Sequence, residues 1–275
     1  MSDATEPKLL FGRGYYTDFD QFALLLRVTT EREGEIKAAR DIAGPLGVPD
    51  ARAAGLVNLA RGFDLLERMR YLPTTLGRLI ARRDPFFDDL GTLWFLHYTV
   101  AFEPRQIVWN RFANVLVPGT PRFTLREFRA LFADLGDTHA DYSAGDHVEK
   151  ETLTVLDAYT RKHFSRLGYI TPDGAGGYGA GDREPVPPLI LAASLARFRD
   201  RHHPHNTALS IPDICTAPNS PGVIFNLRED RLRAILERLK MQPGFTLESR
   251  ADLDQVRLDT ALPAHAWIDR YYDSR

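Results

Sequence analysis

Cysteine is almost missing from this sequence: Cys215 stands alone among 275 residues. One thiol closes no internal disulfide and builds no thiolate zinc site, so a reducing cytoplasm is the expected compartment. Long apolar runs are missing too. The longest, around Leu189–Ala196, falls far short of the ~20 residues that cross a bilayer, so no membrane span is expected. The first residues, MSDATEPKLL, have no basic region followed by an apolar core, and no signal peptide is expected. Lysine is scarce, with Lys8, Lys37, Lys150, Lys162 and Lys240 the only ones among 35 basic residues. Arginine supplies the rest, and its rigid donor fork suits phosphate and guanine better than an ammonium does. Neither sign dominates, since 37 acidic residues leave a net charge of −2. A surface for nucleic acid must therefore be a local patch. The glycine-rich GAGGYGAG lacks the Gly-x-x-x-x-Gly-Lys pattern and opens no apolar helix, and no Gly-x-Ser-x-Gly elbow occurs. No nucleotide cofactor is expected.

What is present is an ordinary globular composition, 44% apolar and 11% aromatic, with a mainly helical pattern broken by proline and glycine. Residues 33–44 repeat Ile36, Ala39, Ala43 and Leu46 at helical spacing, which predicts a helix. Gly47-Val48-Pro49-Asp50 reads as a turn, with Asp50 the N-cap of a helix over 51–68. Asp84-Pro85 ends the next helical segment. Two strongly aromatic helices, 89–102 and 107–117, form the expected buried centre, with His97 a core histidine among Trp94, Tyr98, Trp109 and Phe112. Thr124 and Glu127 have capping-box spacing. Residues 148–168 read as one long helix and TPDGAGGYGAGDREP as a loop or hairpin. VPPLILAASLARFRD reads as a helix, and the stretch from Ser220 to Leu258 as strand, helix, then two short strands. A short helix, a longer helix and a β-prone or glycine-rich tail recur near residues 33–83, 124–182 and 210–258. The expected fold is mainly α with small β-wings: winged-helix-like modules around a central aromatic helical core. The expected domains are 1–120, a helix-turn-helix-like domain with the aromatic core; 121–208, a winged-helix-like module; and 209–275, a small α/β module.

Three clusters carry candidate chemistry. If 51–68 is helical with Leu56 at the centre of its inward face, Leu59, Ala60 and Phe63 share that face. Ala51, Ala54, Asn58 and Arg61 then face outward, with Gly55 and Gly62 at the edge. Small side chains admit a close backbone, asparagine can pair with adenine and arginine with guanine or phosphate. Arg52, Asn58, Arg61, Arg68 and Arg78 are the expected DNA contacts, alongside Arg70, Arg82 and Arg83. The second cluster is Arg161, Lys162 and Arg166, near enough in sequence to share a helix face, with His163 beside them. Either cluster also reads as an ordinary solvated stripe. The third is GYYTDFD. Asp18 and Asp20, two residues apart in an extended segment, would point to one side and could hold a divalent metal such as Mg2+, with Glu31 or Glu33 nearby. Tyr15 or Tyr16 could instead be a nucleophile, with Arg13 steadying phosphate. The plain alternative is that the aromatic residues pack a terminal segment while the acids stay in water. His202, His203 and His205 have no accompanying thiolate or carboxylate spacing and read as exposed.

LGVPDARAAGLVNLARGFDLLE, LPTTLGRLI, RRDPFFDDLGTLWFLHYTVAFEP, SPGVIFNLREDRLRAILERL, LDQV and WIDRYY occur in that order. Together they resemble an uncharacterised-domain family whose members sit beside DNA phosphorothioate-modification genes, and which includes SspB-type components. The likeness spans nearly the whole chain, and DPFFDDLGTLWFLHY and SPGVIF are its most specific parts. It implies a DNA-acting protein that nicks one strand so that sulfur can enter the backbone. It also implies partnership with a cysteine desulfurase, an ATPase and a sulfurtransferase. A non-catalytic DNA-docking adaptor is the alternative, a protein–protein scaffold a third reading, and a homodimer is compatible with each. Many relatives carry a Gly-His-Glu-Thr-Phe-like start where this chain has FGRGYYTDFDQF, so that histidine and glutamate are absent here.

Overall fold

In the computed structural model, residues 9, 12, 14–135, 144–250 and 253–275 are described. The chain separates into two compact units, 1–184 and 185–275. The sequence placed boundaries at 120 and 208 instead. Both fall inside a unit for a simple reason: the strand after residue 120 pairs with one near 178, and the helix begun at Pro188 packs on the C-terminal helices.

The first unit opens with four helices, α1 (Phe19–Glu31), α2 (Arg40–Leu46), α3 (Asp50–Gly62) and α4 (Thr75–Arg83). The helix expected from residue 33 starts only at Arg40. Gly34 adopts φ 82°, and the Asp41 carboxylate accepts the N–H groups of Lys37 and Ala38, both at 2.9 Å, which holds 34–39 as a turn. Gly47, at φ 64°, ends α2 in the left-handed region that glycine enters without a Cβ penalty. Asp50 lies inside the first turn of α3, and Pro49 takes the cap position. Asp64 to Thr74 form a hairpin closed by a bridge between Leu66 and Pro73. α4 ends at Arg83, one residue before Asp84-Pro85.

α5 (Leu90–Phe102) is buried on every side from Gly91 onward, and the Asp89 carboxylate caps it by accepting the Gly91 and Thr92 N–H groups. α6 (Ile107–Arg111) runs into a π-helical turn, Phe112–Leu116, before ending at Gly119. A strand–helix–helix–hairpin module follows: β1 (Arg122–Thr124), α7 (Leu125–Ala130), α8 (Ala144–Thr160), β2 (Ile170–Pro172) and β3 (Gly177–Ala180). Its antiparallel sheet has the order β1-β3-β2. Thr124 and Glu127 form the expected capping box at α7. The long helix expected to reach residue 168 stops at Thr160, and a 3₁₀ turn, His163–Leu167, continues the chain.

The second unit repeats that order. α9 (Pro188–His202) precedes β4 (Ala208–Ser210), α10 (Ile211–Thr216), α11 (Glu229–Leu239), β5 (Phe245–Arg250), β6 (Leu253–Leu258) and α12 (Ala264–Asp273). The sheet order is β4-β6-β5, the same arrangement of edge and centre. SPGVIF, expected to begin as a strand, forms a helical turn at Pro221–Ile224, with the Ser220 hydroxyl accepting the Val223 N–H. Arg199 is buried in α9 and donates to the Leu258 and Asp259 carbonyls at 3.1 and 3.2 Å. The chain is thus mainly α with two small antiparallel sheets, and its aromatic core lies in the first unit.

That core is continuous. Phe63 of α3 meets Trp109 at 5.8 Å between ring centroids, Trp109 meets Tyr159 at 5.8 Å, and Phe112 meets Tyr159 and Phe128 at 5.1 and 5.2 Å. His97 is fully buried, as expected, with Nδ1 hydrogen-bonded to the Tyr159 hydroxyl. Burial pushes the Tyr159 and Tyr169 hydroxyls above the usual tyrosine range, so both remain un-ionised.

α4 meets the hairpin at Gly77, where a Cβ would lie 2.1 Å from the Leu65 carbonyl oxygen. Gly77→Ala should therefore force backbone apart and cost about 2 kcal/mol. Thermal unfolding of the purified variant measures this, and a melting temperature equal to wild type contradicts the close approach.

Candidate functional site

The segment expected to carry chemistry meets α3 at the start of α1. Asp18 is the N-cap of α1, and its carboxylate accepts the Gln21 N–H at 3.3 Å. Asp20 lies within the first turn, where the helix dipole favours a negative charge. The two acids therefore straddle a helix start, which corrects the extended segment that was to put both on one side. Arg52 of α3 reaches this point. Its Nη2 is 3.9 Å from Asp18 Oδ2, its Nη1 donates to the Tyr16 carbonyl at 3.4 Å, and its guanidinium lies 4.9 Å from the centre of the Tyr15 ring. Tyr15, Tyr16, Asp18 and Arg52 are thus brought together. Asp20 turns elsewhere: its side chain is 85% exposed, and Oδ1 is 3.7 Å from His163 Nε2. The His163 ring rests on Phe19 at 5.1 Å. Arg13, proposed to steady phosphate, lies outside the described residues.

A divalent ion needs several oxygen ligands on one centre. Asp18 is already committed to a helix cap and a guanidinium, Asp20 faces His163, and Glu33 pairs with Arg78. No group of three or more histidine, cysteine or acidic side chains suited to a metal occurs among the described residues. The Asp18–Asp20 pair does not fit the metal site expected of it, and no step is assigned through a metal there.

The outward face of α3 is as small and polar as its sequence indicated, with Ala51 exposed and Ala54, Asn58 and Arg61 half-buried. What approaches its glycine edge, however, is the chain's own N-terminal segment. A Cβ on Gly55 would lie 2.8 Å from both the Gly12 carbonyl oxygen and the Tyr15 ring. Arg61 is a structural clasp: Nε donates to the Glu67 carbonyl at 3.1 Å, Nη2 to the Arg70 carbonyl at 3.5 Å, and the guanidinium stacks 5.1 Å from the Tyr71 ring centre.

The remaining arginines face different carboxylates. Arg78 is bidentate on Glu33 at 2.7 and 2.8 Å, Arg70 is 2.7 Å from Glu67 and Arg68 is 3.4 Å from Glu103. The Arg78 hydrogen bonds hold the Glu33 carboxyl below its ordinary range. Arg68, Arg70, Arg78, Arg82 and Arg83 are all exposed.

Arg161 and Lys162 follow the end of α8, and Arg166 lies in the 3₁₀ turn, so no single α-helical face holds all three. Arg161 is 3.6 Å from Asp157, while Arg166 donates to the Asp88 carbonyl at 2.6 Å. Asp88 was not singled out in the sequence, where it looked like one more acid in a turn. In the second unit, His203 and His205 line an open polar cleft of about 430 Å³ with Asn206, Ser210, Asp213 and Gln255.

A family model described as "Protein of unknown function (DUF4007)" matches residues 51–272. The chain belongs to the DUF4007 family. No curated protein matches it. Two solved structures share its fold, an SspB crystal structure and a magnesium ion-bound SspB crystal structure. Each aligns with a TM-score of 0.81 at 18% identity, over 98% of this chain and 88% of the other. The DUF4007 match begins at α3, so Arg52 lies within it, whereas Tyr15, Tyr16, Asp18 and Asp20 precede it. Among the described residues of this DUF4007 chain, no helix is long and apolar enough to cross a membrane.

Arg52→Ala should release the Tyr15–Asp18 segment at a cost of about 1 kcal/mol. Hydrogen exchange read by mass spectrometry should quicken over residues 14–18. Unchanged protection there would show that Arg52 does not hold the segment.

Proposed function

We propose that this chain is a DNA-binding component of a phosphorothioate-modification system, acting in the cytoplasm and placing duplex DNA for the sulfur-transfer enzymes. The observation that carries this reading is the repeated strand–helix–helix–hairpin module, in a DUF4007 chain whose fold is that of SspB. The exposed cations at Arg68, Arg78, Arg161, Lys162 and Arg166 are the proposed phosphate contacts, and half-buried Asn58 of α3 is a further proposed contact. The cations themselves are exposed, and an ion pair with an exposed member contributes only about 0–1 kcal/mol. Phosphate can displace such a carboxylate. The proposed partners are a cysteine desulfurase, an ATPase and a sulfurtransferase.

Two versions of the activity remain distinct. In one, the chain nicks one strand, with Tyr15, Tyr16, Asp18 and Asp20 nearest the chemistry; SspB, which shares the fold, has been solved bound to a magnesium ion. In the other, it docks DNA and recruits partners without cutting. The capping role of Asp18 favours docking, because a carboxylate tied to a helix start and a guanidinium is a poor ligand or base.

Purified protein incubated with supercoiled plasmid, with and without magnesium, separates these versions. Docking predicts that the plasmid stays supercoiled while a labelled duplex is bound with steep salt dependence. Magnesium-dependent open circles assign the nickase. Absence of duplex binding in low salt overturns both. Arg161→Glu with Lys162→Glu should weaken duplex binding about tenfold or more. Both side chains are exposed, so the melting temperature should hold. Equal affinity would remove Arg161 and Lys162 from the interface.

A further inference from the structure

The hairpin after α3 displays an apolar side chain in a way that core packing does not explain. Met69 is 89% exposed at its tip, between the exposed Arg68 and Arg70. Lone exposed apolar residues are common on surfaces. This one stands on a rigid mount. The Glu67 N–H donates to the Leu72 carbonyl at 2.9 Å and the Thr74 N–H to the Leu65 carbonyl at 3.1 Å. The Thr74 hydroxyl donates to the Asp64 carbonyl, and Asp64 itself holds φ 58°. Arg61 then pins the tip from α3 through the Glu67 and Arg70 carbonyls and the Tyr71 ring. An outward-face residue of α3 is thus used to fix the tip, not to read a ligand.

We propose that the Arg68-Met69-Arg70 tip is a minor-groove wedge for duplex DNA, with Met69 inserted at a base step and the two arginines lying along the groove walls. The inference rests on the DNA-binding reading above and names the element that enters the groove. Three general properties of duplex DNA fit this tip. The narrow groove admits one or two side chains, not a helix. Its negative potential draws arginine. Apolar side chains, methionine among them, act as wedges that unstack a step and bend the duplex. α3 itself is barred from the deep insertion expected of it, because the N-terminal segment crosses its Gly55 edge. The arginines' carboxylate partners, Glu103 for Arg68 and Glu67 for Arg70, leave guanidinium side chains that are still 59% and 68% exposed.

The test uses the full chain and a short duplex carrying 2-aminopurine at a central A·T-rich step. Wild-type protein should bind and raise the 2-aminopurine fluorescence as the base unstacks. Met69→Ala should lose that rise and bind about tenfold more weakly, with an unchanged salt slope, because no charge is removed. Arg68→Gln and Arg70→Gln should each reduce the slope by about one. Met69→Lys separates a wedge from a simple basic patch. A wedge predicts loss of the fluorescence signal, whereas a patch predicts tighter binding and a steeper slope. Normal duplex binding with Met69→Ala indistinguishable from wild type overturns the wedge and leaves the DNA-binding reading standing. Absence of wild-type binding overturns both.

Discussion

Trp109 holds the first unit together. Phe63, from the end of α3, lies against one part of the indole, and Tyr159 and Phe164 of the later module lie 5.8 and 6.1 Å away. Phe19 extends the cluster to the start of α1 through Phe63, at 5.7 Å, and Phe164, at 5.1 Å. Aromatic pairs of this kind contribute about 0.5–1.5 kcal/mol each beyond the area they bury. More important here is their directionality. Rings packed edge to face fix the orientation of the elements that carry them, so the helical module of α1–α4 and the module of β1–β3 are set on a common frame. The His97–Tyr159 hydrogen bond adds a polar point to that frame, and polar points in a core select one packing over its neighbours.

Every group near the start of α1 inherits its position from this frame. Phe19 is buried, so the residues on either side of it are forced outward. Asp18 falls at the helix start and Asp20 falls toward His163. Arg52 closes the arrangement from α3. Three demands meet on Asp18: a backbone N–H, a guanidinium and the turn of the chain. A carboxylate so engaged stabilises a helix and a strap. It has little capacity left for a metal or for a proton in flight.

The sequence made some of this legible and hid the rest for identifiable reasons. The capping box at Thr124 and Glu127, the stop at Asp84-Pro85 and the buried His97 followed from local rules that the tertiary structure leaves intact. The recurrence of short helix, longer helix and tail was visible as a pattern without shared letters, and the two sheets now give it a common strand order. The failures have one character. The spacing of Ile36, Ala39 and Ala43 predicts a helix from residue 33, but it does not show that the Asp41 carboxylate, in the first turn of α2, organises a turn before it. A helix was run through to residue 168 because periodicity does not mark the switch to a 3₁₀ turn at His163. Asp18 and Asp20 were paired by an extended spacing that a capped helix removes. The basic stretch from Arg52 to Arg83 read as one patch because acids far away in sequence, Glu33 and Glu103, are invisible to local charge counting.

That pairing bears on how a chain of net charge −2 could hold a polyanion at all. An arginine locked in a buried ion pair is lost to a ligand, since leaving its partner unpaired costs several kcal/mol. The pair of Arg78 with Glu33 is exposed on both sides, and in the pairs of Arg68 and Arg70 the guanidinium is the exposed member, so each arginine can leave its partner at little cost. Exchanging a carboxylate for a phosphate there releases the counterions condensed on the duplex, a gain that the folded protein alone does not register. Acid neighbours also set a threshold: they weaken contact with a stray anion more than contact with a polymer that engages several arginines together. On this argument the carboxylates do not silence the basic surface. They make its affinity for a polyanion conditional on the length and geometry of the ligand, as the proposed docking of duplex DNA requires.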